Sequence, residues 1–337
     1  MTKTKRSWPV QIFLLACLLV CIVLAACVGK YPVSPGDSLK IMLGALLRKT
    51  GSANEMTVNV VLGLRGPRIL ASVIVGGALS MSGAAYQGIF KNPLVSPDFL
   101  GVSSGACIGA AVAILLSLSA TYISVFAFVF GIVAVLITVA IPAMMGNRTN
   151  GMLVLSGIIV GTAMSSILGF IKYIADPNTQ LASITYWTMG SFAYITLADL
   201  LAVLPIIAIP GVILILMAWW IDVLSMGEDE ARTLGARVGL IRGITIICAT
   251  LLTAGSVCIA GTISWVGLIV PHFGRMAVGP SNRKLLPMCA LLGGLFMLAV
   301  DTLTRTIGTT EMPVSILTGV LGAPIFCWLL FRQRREL

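Results

Sequence analysis

Runs such as Val10 to Val28 and Ile123 to Met145 are continuously apolar over the length needed to cross a lipid bilayer, which takes roughly 20 residues in a helix. This feature constrains the fold more than any other. Lipid offers no partner for backbone N–H and C=O groups, so only helices and closed barrels cross it. Barrel strands alternate apolar and polar residues over short segments, and these runs do not. The chain of 337 residues is 58% hydrophobic and 10% charged, with mean hydropathy +1.03, a balance foreign to a water-soluble domain of this length. An all-α polytopic membrane protein, one transmembrane domain over 1–337, is expected.

Breaks at charged residues and at Pro and Gly clusters divide the chain into ten spans: 10–28, 66–89, 100–118, 122–145, 152–173, 198–221, 243–260, 263–278, 287–304 and 313–331. With the amino terminus inside, Lys91, Arg148, Arg232, Arg237, Arg242, Arg275, Arg283 and Lys284 fall on the cytoplasmic side. The basic ends Lys3, Lys5, Arg6 and Arg332, Arg334, Arg335 join them, while Lys30, Lys40, Arg48, Lys49, Arg65, Arg68, Lys172 and Arg305 stay outside. The positive-inside rule therefore puts both termini in the cytoplasm. Lys3, Lys5 and Arg6 before an apolar stretch ending Leu24-Ala25-Ala26-Cys27 imitate a lipoprotein signal. The run is long enough to span and many spans follow, so it is read as the first transmembrane helix.

The formal net charge of +10 does not indicate nucleic acid as a partner, because the basic residues are scattered through interhelical breaks without aromatic platforms. The eight cysteines lie inside apolar runs without metal-ligand spacing and read as buried thiols. No metal site is expected. The single histidine, His272, reads as a hydrogen-bonding residue near a helix end. Asp98, Asp176, Asp199, Asp222, Asp301 and Glu311 fall in loops or near predicted helix ends, which leaves no obvious mid-membrane carboxylate for ion coupling. The chain also lacks a Gly-x-x-x-x-Gly-Lys-Ser/Thr loop, so it is not expected to bind ATP by that route or to act as an enzyme.

Two connections are long enough to hold helices of their own. In 30–57, Leu39, Met42, Leu43, Leu46 and Leu47 recur at helical spacing and predict a helix on the membrane surface. In 222–242, Ser225 and Glu228 have capping-box spacing, Asp229 and Glu230 suit a helix start, and Gly235 suits its stop, with Ala231 and Leu234 on one side. Small residues recur every fourth position at Ser72, Gly76, Ser80, Ala84 and Gly88, at Gly101, Gly105, Gly109 and Ala113, and at Gly157, Gly161, Ser165 and Gly169. Such stripes admit close helix packing, or line a wide path with few side-chain obstructions.

A set of motifs in fixed order points further. Leu64-Arg65-Gly66-Pro67-Arg68, Gly83-Ala84-Ala85-Tyr86-Gln87-Gly88, Asn92-Pro93-Leu94 and Leu100-Gly101-Val102-Ser103-Ser104-Gly105-Ala106 are followed by Tyr186-Trp187-Thr188-Met189-Gly190-Ser191-Phe192 and the Gly227 to Gly235 loop. Gly261 to His272, Leu285-Leu286-Pro287, Asp301 to Arg305, Glu311-Met312-Pro313-Val314 and Gly322-Ala323-Pro324 complete the series. From about residue 60 to the carboxyl end the chain resembles the FecCD permeases, the membrane subunits of ATP-binding cassette importers for ferric siderophores, haem and cobalamin. Gly66 and Trp265 depart from the family's usual apolar residue and Phe.

The resemblance implies ten helices per subunit, a dimer with the pathway at its interface, two cytoplasmic ATPase subunits that use ATP and Mg, and an extracytoplasmic substrate-binding protein. By motif position Arg65, Arg68 and Arg305 would meet acidic residues of the binding protein. Gly227, Glu228, Ala231, Leu234 and Gly235 would form the coupling helix on the ATPase, and Asn92, Leu94, Asn150 and Leu155 a cytoplasmic gate. A ferric siderophore is the first expectation for cargo, with haem, cobalamin and molybdate as alternatives. An ion-coupled secondary carrier is the rival from another class.

Overall fold

The computed structural model describes residues 7–47, 54–146, 149–307 and 310–333. Lys3, Lys5, Arg6, Arg48, Lys49, Arg148, Arg334 and Arg335 lie outside them. Every predicted span is a helix: α1 (Ser7–Cys27), α4 (Gly66–Phe90), α5 (Val102–Leu115), α6 (Ala120–Met144), α7 (Asn150–Ile174), α9 (Leu197–Met226), α11 (Val238–Ala260), α12 (Val266–Val278), α13 (Asn282–Thr306) and α14 (Val314–Gln333). The surface helix expected in the first long connection is α2 (Pro35–Leu46), started by Ser34 Oγ accepting from Asp37 N at 3.1 Å. Leu39, Leu43 and Leu47 are exposed along it, while Ile41 turns in against Val33 and Val61. Among the described residues four short elements were not expected: α3 (Glu55–Val58), the wide π turns at Asn59–Arg65, the 3-10 turn at Pro97–Leu100, and α8 (Gln180–Thr188).

The π segment has a local cause. Pro67 has no N–H to give, and Gly66 N bonds Val61 O five residues back, which widens the helix at its junction with α4. A Cβ at Gly66 would sit 3.3 Å from that carbonyl, so glycine suits the place where the family pattern has a larger residue.

α4 is the axis of the bundle: its most apolar window is 83% buried, against 22% for α1 and for α7. Its glycines explain how. A side chain at Gly76 would strike Gly293 O, and one at Gly83 would strike Gly267 O, so α13 and α12 lie directly on the α4 backbone. Polar groups lock α4 to α11, where Ser82 Oγ meets Thr253 Oγ1 at 2.8 Å and Tyr86 Oη meets Thr250 Oγ1 at 2.9 Å. The stripe on α5 packs likewise, with Gly105 and Gly109 against the Phe130 and Phe126 carbonyls of α6. On α7 only Gly157 is packed in this way; Gly161 and Gly169 face open space.

α5 and α12 have 14 and 13 residues, or about 20 Å of helix each, short of the ~30 Å hydrocarbon core. Irregular chain precedes both, and irregular backbone inside a membrane protein must find partners within it. Before α12 it does: Ser191 N bonds Ala260 O at 2.9 Å, Thr262 Oγ1 bonds Thr188 O at 2.6 Å, and Val314 N bonds Gly190 O at 3.0 Å. Trp265, the other departure from the family pattern, closes this break with φ +73° and packs over Gly322 and Phe326 of α14.

Candidate functional site

The predicted site residues fall at three places, two of them at opposite ends of the bundle. At the end where α4 begins, Arg65, Arg68 and Arg305 are 7%, 6% and 9% exposed. An outward-facing arginine patch was expected, and these guanidinium groups point inward instead. Arg68 Nε bonds Asp301 Oδ1 at 2.7 Å, and its Nη1 bonds both carboxylate oxygens of Glu311 at 2.7 and 2.8 Å. Arg305 Nε lies 3.4 Å from Asp301 Oδ2. Asp301 is fully buried near the end of α13, where the sequence placed it. Two guanidinium groups neutralise it, so it is a bridging group rather than an isolated carboxylate.

Arg65 and Arg305 also finish α1. The last carbonyls of a helix lack intrahelical partners and carry its negative end. Arg65 donates to Ala26 O and Tyr31 O, both at 2.6 Å, and Arg305 donates to Ala25 O at 3.2 Å and Val28 O at 3.5 Å. The network thus ties α1, α4, α13 and the segment before α14 into one unit. Glu311, with its side chain 34% exposed, carries the charge that reaches the surface.

At the opposite end the predicted short helix is α10 (Glu228–Thr233). The capping box does not form. Ser225 still belongs to α9 and donates to Asp222 O at 2.6 Å, and Gly227 is the N-cap, without a side-chain cap. Glu228 instead pairs with Arg232 at 3.6 Å and with Arg242 at the start of α11. Gly235 stops the helix as expected, at φ +79°. Ala231 and Leu234 do not share a side: Ala231 is buried against Val223, Leu224 and Ile241, whereas Leu234 is 56% exposed.

The third place is the far end of α4. Lys91 turns the chain at φ +52°, and Asn92 Oδ1 accepts from Leu94 N at 2.9 Å, a turn of its own. Asn150, at the start of α7, donates to Ile89 O at 3.0 Å and so brings α7 to the end of α4. Leu94 and Leu155 stand exposed, close in sequence to these turns. Sequence reasoning missed what holds this region: Arg275 Nη2 bonds Gln87 Oε1 at 2.6 Å, and Gln87 Nε2 bonds Val95 O at 3.1 Å. It also missed Asp222, which accepts from Asn282 N at 2.6 Å and Ser281 Oγ at 2.7 Å and caps α13 from α9. His272 lies inside α12, half-buried, and its side chain makes no hydrogen bond among the described residues.

The profile of the FecCD transport family matches residues 17–332. A molybdate import system permease protein of Haemophilus influenzae is 36% identical over 335 residues, covering 98% of this chain and 97% of that protein. A Helicobacter pylori protein assigned as an iron chelatin transport system permease is 38% identical over 275 residues, covering 82% and 83%. Among solved structures, one described as a metal-chelate type ABC transporter in an inward-facing conformation superposes with a TM-score of 0.86 at 33% identity, covering 96% of this chain and 99% of that one. The chain belongs to the FecCD transport family.

Proposed function

We propose that this chain is the membrane permease subunit of an ATP-binding cassette importer, carrying an iron chelate, a ferric siderophore first, across the cytoplasmic membrane. The observation that carries this reading is the end-to-end superposition on a metal-chelate type transporter. The chain works as a non-catalytic subunit, in a homodimer, with two ATPase subunits at the α10 end and an extracytoplasmic binding protein at the Arg68 end. Both termini are cytoplasmic.

In this reading α10 is the coupling helix. Exposed Leu234 makes the apolar contact with the ATPase, while Gly227, Glu228, Ala231 and Gly235 set the shape and seat of the helix. Arg65, Arg68 and Arg305 serve docking by fixing the outer surface from within, with Glu311 as the charge they present. Asn92, Leu94, Asn150 and Leu155 form the gate at the cytoplasmic ends of α4 and α7. The pathway runs along the open face of α7, where Thr162, Ser165 and Ser166 are exposed and bond the carbonyls of their own helix. Hydroxyls already satisfied in this way present a polar wall with little affinity for passing cargo.

Molybdate is the second reading, favoured by the relative matched over nearly its whole length. Proteoliposomes holding the permease, its ATPase and its binding protein decide between them. Uptake of a radiolabelled ferric siderophore, uncompeted by molybdate, is expected; uptake of molybdate alone overturns the iron reading and leaves the importer reading intact.

A further inference from the structure

Between α10, the first turns of α11 and the facing ends of α6 and α7 lies a cavity of about 920 Å³. Val139, Leu153 and Ile246 make one part of its wall apolar. Arg232, Arg237 and Arg242 line another; Glu228 pairs with Arg232 and Arg242, and Asp229 next to it pairs with Arg232, so three positive groups stand beside two negative and the balance stays basic. The floor is α11 itself. Gly239 and Gly243 line the cavity one turn apart, and a Cβ at either would meet nothing within 4 Å. These glycines therefore differ from Gly76 and Gly83, whose lack of a side chain is explained by a backbone pressed against them. Here the missing side chains leave a groove open along the helix.

A cavity that is basic at the helix ends and apolar further along the helix matches an amphiphile of the same polarity. We propose that it holds one anionic phospholipid of the leaflet at the α10 end, with its phosphate on the arginines and an acyl chain in the α11 groove toward Ile246. Basic pockets between spanning helices at the cytoplasmic interface suit anionic headgroups. The volume lies at the upper end of the roughly 300–1,000 Å³ usual for small-molecule sites, room for a headgroup and part of a chain. Occupation of the site would brace α10 against α6 and α7, which otherwise face it across open space. The site needs α10 to lie at a membrane surface, as the proposed function places it, but its occupation is read without transport, so either proposal can fail alone.

The test uses the full-length chain, delipidated in detergent and titrated with phosphatidylglycerol or phosphatidylcholine, with retained lipid read by native mass spectrometry. Wild type is expected to retain phosphatidylglycerol in preference. Arg237→Gln should weaken that retention roughly fivefold, the worth of one basic residue at an anionic surface, and leave phosphatidylcholine unaffected. Gly243→Leu should fill the groove and reduce retention of both. Elution as wild type shows that each variant folds, and Arg232→Gln, on an exposed side chain, replaces Arg237→Gln if that one does not. Equal retention of the two lipids by wild type, or unchanged retention in either variant, overturns the proposal. Displacement of the lipid by equimolar inorganic phosphate would make this a free-anion site. Loss of ATPase co-purification with lipid retention unchanged would assign the arginines to the protein partner.

Discussion

At the end where α4 begins, Arg68, Asp301 and Arg305 are buried in one network, whereas at the α10 end Glu228, Asp229 and Arg232 pair at the surface. The same residue types therefore have different consequences. A buried charge stripped of its partner retains its desolvation cost, while an exposed pair exchanges one partner for water. The first end holds four chain segments in register. The second has glycines at both ends of α10 and leaves Leu234 uncovered. One end is built to keep its shape and the other to be met by something else.

The largest effect should come from breaking the buried network. Arg68→Ala leaves Asp301 paired only with Arg305 and should destabilise the detergent-solubilised protein by roughly 3–5 kcal/mol, read as a lowered thermal midpoint. Gly83→Val comes next: it drives a side chain into Gly267 O and should cost roughly 1–3 kcal/mol through separation of α4 and α12. Asp222→Ala removes the cap on α13 and should cost about 1 kcal/mol in the same melt. Arg232→Ala, whose side chain is 63% exposed, should stay below about 1 kcal/mol. An Arg232→Ala loss as large as that of Arg68→Ala would erase the contrast between the ends. Leu234→Asp should have the smallest effect on stability, within about 0.5 kcal/mol, yet abolish stimulation of the ATPase partner, measured as phosphate release from the reconstituted complex.

The helical layout was legible because lipid-length apolar runs are a local property: 66–89 was expected against Gly66–Phe90 observed, and 243–260 against Val238–Ala260. Where the reading went astray, the deciding partner was distant. Asp222 was taken for the end of a span because a charge usually is, yet α9 runs on to Met226, since Asp222 is satisfied by the start of α13, 60 residues on. Arg68 was expected in a docking patch on the outer side, and its buried pairing was missed because its partner Asp301 lies 233 residues away. The Ser225–Glu228 spacing was right for a capping box, but Arg242 draws the Glu228 carboxylate toward α11. α8 escaped notice because Gln180–Thr188 is short and mixed in polarity, with Ile184 as its buried anchor.

The most direct measurement of the account is the energy source of uptake. Proteoliposomes containing this permease, with and without the ATPase subunit, are given the binding protein and a radiolabelled ferric chelate, under either internal ATP or an imposed proton or sodium gradient. Uptake that requires both ATP and the ATPase subunit, and is lost in Leu234→Asp, is the predicted result. Gradient-driven uptake by the permease alone would contradict it and would identify the chain as a secondary carrier.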